Sequence, residues 1–261
     1  MTDTLSIITI CFNNLPDLKE TFNSVDHQTR HPYEHIIIDG STNDDILHWL
    51  EHNEQPAYRT WLHERDEGIA DAFNKGIQRA KGTITHLLNS GDKYYGSNAV
   101  EEVLRHFEQD HLVMWTHSLY IQHRGEADVI SGAPFNKDLL WKGMRTVAHP
   151  TMFVKKEVYD RRGLYNLKYK IAMDYDLLIR IREERYKFIN KPLIYFSPGG
   201  ASNTQFEKSL KEVRNSYREH IGRSYKQTLW QFRQRMLHKI MQTTVGKIWF
   251  RLKNRKKITT Q

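Results

Sequence analysis

The sequence predicts an α/β fold in which a mostly parallel sheet is flanked by helices and followed by a helical extension at the C-terminus. Short apolar, β-branched segments alternate with segments of helical periodicity through the first hundred residues. The strand-like segments end in polar clusters, as strands do at the ligand-binding edge of a parallel sheet. The 261 residues are enough for one large domain with its own core.

The first hundred residues contain four predicted strands joined by predicted helices. Leu18, Phe22 and Val25, for example, recur at the spacing of one helix face. In order, the predicted elements are a strand at 5–12, a helix around 18–25, a strand at 35–38, a short helix around 46–50, a strand at 61–62, a helix from about 69 and a strand at 83–88.

The pattern after residue 110 is less regular. It predicts strands at 112–115 and 119–122, a helix at 174–184, a strand at 193–196 and a helix at 202–221. We therefore expect one domain over residues 1–221, with halves at 1–110 and 111–221, and a helical tail over 222–261.

Polar side chains follow each of the four early strands. Asn13, Asp39, Asp66 and Asp92 come directly after strands one to four. Because the carboxyl ends of parallel strands meet at one edge of the sheet, where ligands bind, we expect these residues to share one site.

Composition and charge exclude several classes of protein. No apolar run approaches the ~20 residues of a membrane span, and a hydrophobic content of 39% argues against a wholly disordered chain. The single cysteine, Cys11, cannot form an intrachain disulfide, and the first residues lack the pattern of a secretory signal. These features predict a cytoplasmic protein.

The basic charge is concentrated in the tail. Residues 220–261 contain eleven Lys or Arg and no Asp or Glu, whereas residues 1–219 carry a net charge of −3. Apolar residues at helical spacing lie among these basic residues, which predicts an amphipathic helix resting on an anionic membrane surface through residues 226–257. Packing of this helix on the domain or on a second subunit is the alternative. Its broad apolar face argues against nucleic acid as a partner.

Four segments in order carry a resemblance to a known family. They are Ser6-Ile-Ile-Thr-Ile, Ile38-Asp-Gly-Ser-Thr, the segment from Asp66 to Gly76, and Leu88-Asn-Ser-Gly-Asp92. Over residues 4–205 the chain resembles glycosyltransferase family 2. The resemblance implies the A-type glycosyltransferase fold, with a Rossmann-like sheet, a catalytic domain over 1–221 whose first half binds a nucleotide-diphosphate sugar, and an acceptor-side second half.

The resemblance places donor-binding residues at the ends of the first three strands. Asp39 could accept hydrogen bonds from a nucleobase, and Lys75 is a candidate for the diphosphate. An Asx turn at Asp39, and helix N-terminal charges at Asp66 and Asp71, are the structural alternatives. The expected donor residues here are Thr9, Phe12, Asn13, Asp39, Asp66, Asp71 and Lys75.

The fourth segment occupies the place of the family's Asp-any-Asp metal motif. Asn89 replaces the first carboxylate, so Asp92 is the expected ligand of a divalent metal, Mg or Mn, while Asn89, Ser90 and Gly91 are expected at the donor. Magnesium takes one or two protein carboxylates beside phosphate oxygens, so one can suffice. A simple Gly-Asp turn is the alternative.

The resemblance also implies a catalytic base further along the chain. Residues 172–180 resemble the family's Glu-Asp-like motif, with Met173 in place of the Glu, and this makes Asp174 the expected base. Asp176 could bind the acceptor or hold a loop, and Arg180 could pair with it at i+4. His149, in a segment that also resembles the family, is expected near the acceptor or the donor phosphates.

These expectations together predict an inverting, metal-dependent glycosyltransferase. It would transfer a sugar to a growing surface glycan on a lipid carrier, at the inner face of the cytoplasmic membrane. A sugar-phosphate nucleotidyltransferase is disfavoured because residues 11–16 contain no glycine for a phosphate loop. A membrane-docked module that binds nucleotide sugars without turnover is the remaining alternative, favoured by Asn89 and Met173.

Overall fold

The structure of the protein is a computed structural model that describes residues 3–124, 127–197 and 205–243. Its strands are β1 (Leu5–Cys11), β2 (Glu34–Asp39), β3 (Arg59–His63), β4 (Ile84–Leu87), β5 (Lys93–Tyr94), β6 (Trp115–Arg124), β7 (Ala127–Ser131), β8 (Phe153–Lys155) and β9 (Tyr186–Tyr195). Its helices are α1 (Leu15–Asp26), α2 (Asp45–His52), α3 (Ile69–Arg79), α4 (Ala99–Gln109), α5 (Lys156–Arg162), α6 (Met173–Arg180), α7 (Phe206–His220) and α8 (Tyr225–Gln242), with short 3₁₀ helices at Lys137–Lys142 and His149–Thr151.

The described strands form a single sheet in the order β3-β2-β1-β4-β8-β6-β9-β5, with β7 paired to β6. Strands β3, β2, β1 and β4 are parallel, as predicted. Strand β8 runs antiparallel between β4 and β6, and β6 is parallel to β9. The sheet is therefore a parallel half joined to a mixed half.

Alternating side chains of the central strands are buried on both faces of the sheet. Ile8, Ile36 and Ile38 pack with helices α3 and α6, whereas Ile7 packs with α4, and Ile37 packs with α1 and α2. Full burial of one such side chain contributes about 1.5–3 kcal/mol. A strand buried on both faces is apolar throughout, which explains why β1 and β2 are continuous apolar runs.

The second half departs from the prediction in several elements. In place of the strands predicted at 112–115 and 119–122 there is one strand, β6, which begins at Trp115 and includes the buried polar residues Thr116, His117 and Ser118. Helix α6 ends at Arg180 rather than at 184, and the strand predicted at 193–196 is the end of the longer β9. Elements absent from the prediction are α4, α5, β5, β7 and β8.

The C-terminal helices are α7 and α8. The first three residues of the helix predicted at 202–221 lie outside the described residues, and α7 begins at Phe206. Helix α8 packs on α7 and on the 3₁₀ helix at Lys137–Lys142. Of the predicted membrane segment, residues 244–257 lie outside the described part. Among the described helices, none combines the length and the apolar character required to cross a bilayer.

Candidate active site

The ends of several strands meet at one edge of the sheet. Cys11 is paired with Asp39, and Asp39 with His63, so β1, β2 and β3 end side by side. Strand β4 ends at the same edge, and antiparallel β8 starts there because Phe153 pairs with His86. Strand topology thus gathers the predicted residues of the first four loops, together with the segment around His149.

The loops after β1 and β2 are joined by Asn13. This residue has a φ of 51°, a left-handed conformation that asparagine tolerates better than most residues. Its backbone N–H donates to Ser41 Oγ at 2.8 Å, and its side-chain amide exchanges hydrogen bonds with Thr42. The neighbouring Phe12 ring is 59% exposed, so it offers a flat apolar surface at the mouth of this edge.

Asp39 lies beneath this surface and is only 1% exposed. Its Oδ1 accepts from the backbone N–H and the hydroxyl of Ser41, and its Oδ2 accepts from His63 Nδ1 at 2.7 Å. The Nε2 atom of His63 lies 3.5 Å from Asp44. His63 was not among the predicted site residues; its place as the last residue of the third strand, in register with Asp39, is the signal that could have found it.

The loop after β3 brings Asp66 against Gly40. A Cβ atom at Gly40 would lie 2.0 Å from Asp66 Oδ2, so the contact requires glycine at that position while Asp66 stays in place. The other carboxylate oxygen of Asp66 accepts from the N–H of Gly68 at 2.8 Å. Asp39 and Asp66 therefore lie in adjacent loops that touch.

Lys75 and Asp71 hold this loop rather than extend into the open edge. The Lys75 ammonium binds Glu64 at 2.6 Å and the carbonyl of Arg65 at 2.8 Å, and lies 3.4 Å from Asp71. Asp71 also accepts from the N–H of Glu67 at 3.0 Å. The expectation that Lys75 meets the diphosphate is corrected accordingly, because its charge is already paired within the loop.

Thr9 is a second correction among the predicted donor residues. Its side chain is fully buried, and its hydroxyl lies 2.9 Å from Nε2 of His35 in the neighbouring strand. Thr9 lies two residues before the end of β1, so its side chain packs in the core and does not reach the edge of the sheet.

The loop after β4 carries the predicted metal ligand. Asp92 is 3% exposed, and its Oδ1 accepts from the N–H of Ser197 at 2.9 Å. Burial raises the pKa of Asp92 to about 7, against the opposing hydrogen bonds of Ser197 and Asn89. Thr21 on α1 fixes the loop, since its hydroxyl donates to the carbonyl of Asp92 and accepts from the N–H of Gly91.

Two buried polar atoms of this loop have no hydrogen-bond partner among the described residues, Asn89 Oδ1 and Ser90 Oγ. Buried polar groups are nearly always paired, so an orphaned pair at this edge indicates room for a ligand. The described residues contain no group of three or more His, Cys, Asp or Glu arranged to hold a metal. Asp92 and Asn89 Oδ1 together still fit a magnesium-type ion, which completes its shell with water and phosphate oxygens.

Asp174 lies in the first turn of α6. Burial raises the pKa of its carboxyl to about 6, opposed by the Tyr175 N–H and reinforced by the nearby charge of Glu212. Glu212, on α7, accepts from the N–H groups of Ile171 and Ala172 at 2.8 and 2.9 Å and so caps the start of α6. A carboxyl with a pKa near 6 is poised to accept a proton at neutral pH.

His149 lies close to the same region. It stacks on Phe73 with ring centroids 5.1 Å apart, and its Nε2 lies 2.8 Å from the hydroxyl of Tyr165. Burial lowers the pKa of His149 to about 4, so the ring is neutral at pH 7. Tyr165 is near enough to Asp174 for that carboxylate to contribute to its raised pKa.

A lysine links the donor-side loop to the segment that precedes α6. The Lys170 ammonium donates to the carbonyl of Glu67 at 2.8 Å, and it lies four residues before Asp174. The segment that leads into α6 and Asp174 therefore lies against the loop that contains Asp66.

Asp176 does not face this edge, which corrects its predicted acceptor role. Its side chain is fully buried and accepts from Arg180 Nε at 2.9 Å, from Ser216 Oγ at 3.0 Å and from His220 Nε2 at 2.9 Å. Residues two apart on a helix point to different sides, so Asp174 and Asp176 have different surroundings. The predicted pairing of Arg180 with Asp176 is present.

The fold is an α/β fold whose polar loops follow the strands at the carboxyl edge of the sheet, where proteins of this architecture bind ligands. The model of glycosyl transferase family 2 matches residues 6–163, more than half of the chain, and the chain belongs to this family. It is 32% identical over 179 residues to an uncharacterized glycosyltransferase of Mycobacterium tuberculosis, with 68% of each chain covered. It is 28% identical over 229 residues to a PGL/p-HBAD biosynthesis glycosyltransferase of Mycobacterium bovis, covering 78% of this chain and 81% of the relative.

Solved structures share the fold. TarS of S. aureus in complex with UDP-GlcNAc matches with a TM-score of 0.64 at 14% identity, over 86% of this chain and 69% of that one. The mannosyltransferase PcManGT of Pyrobaculum calidifontis, in complex with GDP-Man and Mn2+, matches with a TM-score of 0.61 at 16% identity, over 86% and 66%. The match spans 41% of the longer TarS structure. The predicted A-type glycosyltransferase fold and the predicted glycosyltransferase class are confirmed.

Proposed function

We propose that the protein transfers a sugar from a nucleotide-diphosphate sugar to a hydroxyl of a growing surface glycan on a lipid carrier. The observation that carries this proposal is that the loops of Asp39, Asp66 and Asp92 follow strands that end at one edge of the sheet, while the segment before Asp174 lies against the loop of Asp66. The donor class is supported by the complexes of TarS with UDP-GlcNAc and of PcManGT with GDP-Man, which share the fold. The glycolipid acceptor is supported by the PGL/p-HBAD relative.

In this proposal the donor lies along the strand ends. The nucleobase of the donor stacks on the exposed Phe12 ring and is recognised by Asn13, Asp39 and His63. The diphosphate of the donor lies over the loop of residues 89–92. Asp92 and Asn89 would hold a divalent cation, Mg or Mn, which would supply positive charge to neutralise the departing diphosphate.

Asp174 is the proposed base. Its carboxylate takes the proton from the acceptor hydroxyl as that oxygen forms a bond to the anomeric carbon, and the bond from this carbon to the diphosphate oxygen breaks. A single displacement of this kind, with one carboxylate base, inverts the anomeric configuration. The neutral ring of His149, anchored by Tyr165, borders the acceptor side.

Because the proposed acceptor is carried on a lipid, the reaction would take place at the inner face of the cytoplasmic membrane. A module that binds nucleotide sugars without turnover is the second candidate, favoured by the amide at Asn89. Met173 does not favour it, because this side chain is buried in the core and a carboxylate there would not reach the edge.

Release of nucleoside diphosphate from a panel of nucleotide sugars tests the proposal. We expect one donor to be hydrolysed slowly without acceptor, and Asp174→Asn to keep donor binding while losing turnover. Asp160→Asn, an exposed carboxyl on α5, is the matched control and should leave turnover unchanged. Donor binding without any hydrolysis or transfer by the unmodified protein would favour the binding module instead.

A further inference from the structure

Helix α8 packs on the domain through its polar side. Gln227 and Gln231 are 2% and 1% exposed, and Gln231 Nε2 donates to the carbonyl of Leu210 on α7 at 2.8 Å. Arg235 pairs with Glu207 at 2.9 Å. A helix that packs on a domain usually turns its apolar side toward that domain. Helix α8 instead turns its polar side toward the domain.

Aromatic contacts fix the orientation of the helix. Trp230 meets Trp141 edge-to-face, with ring centroids 6.5 Å apart, and the Arg145 guanidinium lies 4.9 Å from the Trp230 ring. His238 stacks on Phe206 at 4.3 Å. These contacts and the two glutamines hold α8 in one rotation about its axis.

The opposite side of α8 is apolar and faces outward. At 100° per residue, five of its exposed apolar side chains fall on one side of the helix, away from Gln227 and Gln231. Stripes of this kind are rare on monomeric soluble proteins and mark interaction sites. We call this surface the apolar stripe; its residues are between 47% and 94% exposed and comprise Tyr225, Leu229, Phe232, Met236 and Ile240.

Positive charge borders the apolar stripe. At the same helical spacing, exposed Lys226 and Arg233 lie along one edge of the stripe and exposed Lys239 along the other. The whole stretch from 220 to 261 contains eleven Lys or Arg and no acidic residue. A second copy of this chain on the stripe would bring like charges together with no acid of that stretch to pair them.

We propose that the apolar stripe of α8 docks on an anionic lipid bilayer, with Lys226, Arg233 and Lys239 at the level of the headgroups. Apolar side chains bordered by cations are the combination that lies in a bilayer interface. The charge and the exposure of α8 support docking on a lipid surface, whereas any role of this docking in catalysis rests on the proposed function. The acceptor's carrier would then be reached by an enzyme already held at the surface.

Co-sedimentation of the full chain with vesicles tests this proposal. We expect binding to vesicles that contain phosphatidylglycerol and much weaker binding to pure phosphatidylcholine. Leu229→Ser with Phe232→Ser should abolish binding, and Lys226→Gln with Arg233→Gln and Lys239→Gln should weaken it about a hundredfold, the product of three basic groups. The control removes three exposed basic residues of α7, Lys208→Gln with Lys211→Gln and Arg214→Gln, and should bind like the unmodified chain.

Three results would overturn the proposal. They are equal binding to neutral and anionic vesicles, no binding to either, and a dimer in analytical ultracentrifugation that the Leu229 and Phe232 substitutions dissociate. Donor hydrolysis in detergent-free solution is measured on the same samples. Hydrolysis without vesicle binding would remove the docking surface and leave the transferase function standing, whereas vesicle binding without hydrolysis or transfer would do the reverse.

Discussion

Asp176 is the buried carboxylate whose loss should destabilise the fold, although it lies two residues from the proposed base. It is fully buried and accepts from Arg180, Ser216 and His220. Asp176→Asn keeps the size of the side chain and removes its charge. Removing one partner of a buried ion pair costs about 3–5 kcal/mol, because the other charge stays buried.

The loss should fall at the lower end of this range. Arg180 also donates to the backbone carbonyls of residues 162–164, so its guanidinium keeps acceptors when Asp176 is changed. We therefore expect the free energy of unfolding to fall by about 3 kcal/mol. With a urea dependence of about 1–3 kcal/mol per molar, the unfolding midpoint should move down by about 1 M or more.

Urea unfolding of Asp176→Asn beside Asp174→Asn measures this difference. The raised pKa of Asp174 means that the folded state disfavours its charge, so at pH 8 its replacement should not lower the free energy of unfolding. Equal midpoint shifts for the two variants, or a shift below about 0.3 M for Asp176→Asn, would refute the assignment of separate roles.

Three further outcomes are expected. Turnover should rise with pH through about 6 as Asp174 ionises, and Asp174→Asn should lower it by roughly 10²–10⁴-fold in a diphosphate-release assay; a flat profile would count against this base. Because the pKa of Asp92 is raised to about 7, protons compete with the cation for this carboxylate below that pH. The Mn concentration for half-maximal donor binding, measured by calorimetry, should therefore increase as the pH falls. No such increase would argue against Asp92 as a metal ligand. Gly40→Ala should displace the Asp66 carboxylate and weaken donor binding as much as Asp66→Ala does, with the double variant no worse than either single one; additive losses would separate the two positions.

The parallel half of the fold was accessible from the sequence because each element carries a local signal. Strands β1 and β2 are continuous apolar runs, since helices cover both faces of the sheet. Helix α4 carries an equally clear signal in its buried residues Val100, Val103, Leu104 and Phe107. This helix could therefore have been predicted from the sequence, although it was not. Strands β5 and β8 have two and three residues, too few for any periodicity to appear.

The site was accessible only in part because local patterns do not reveal distant partners. The sequence offers Arg180 at i+4 as a partner of Asp176, but the partners that complete its buried hydrogen bonds, Ser216 and His220, lie about forty residues away. Lys75 on α3 is likewise paired with Glu64, which lies in the loop that precedes this helix. Charge pairing across the fold, rather than residue type, decides which of these side chains remain free for a ligand.

Helix α7 grips the beginning of α6 with Glu212, Ser216 and His220, three side chains one helical turn apart. The family match ends at residue 163, so the proposed base and this grip both lie beyond it. In the proposed function, donor recognition therefore falls within the matched residues and acceptor deprotonation falls outside them. Strand β9 of that later stretch pairs with β6 and with β5, so a single sheet joins the matched residues to the stretch that carries the proposed base.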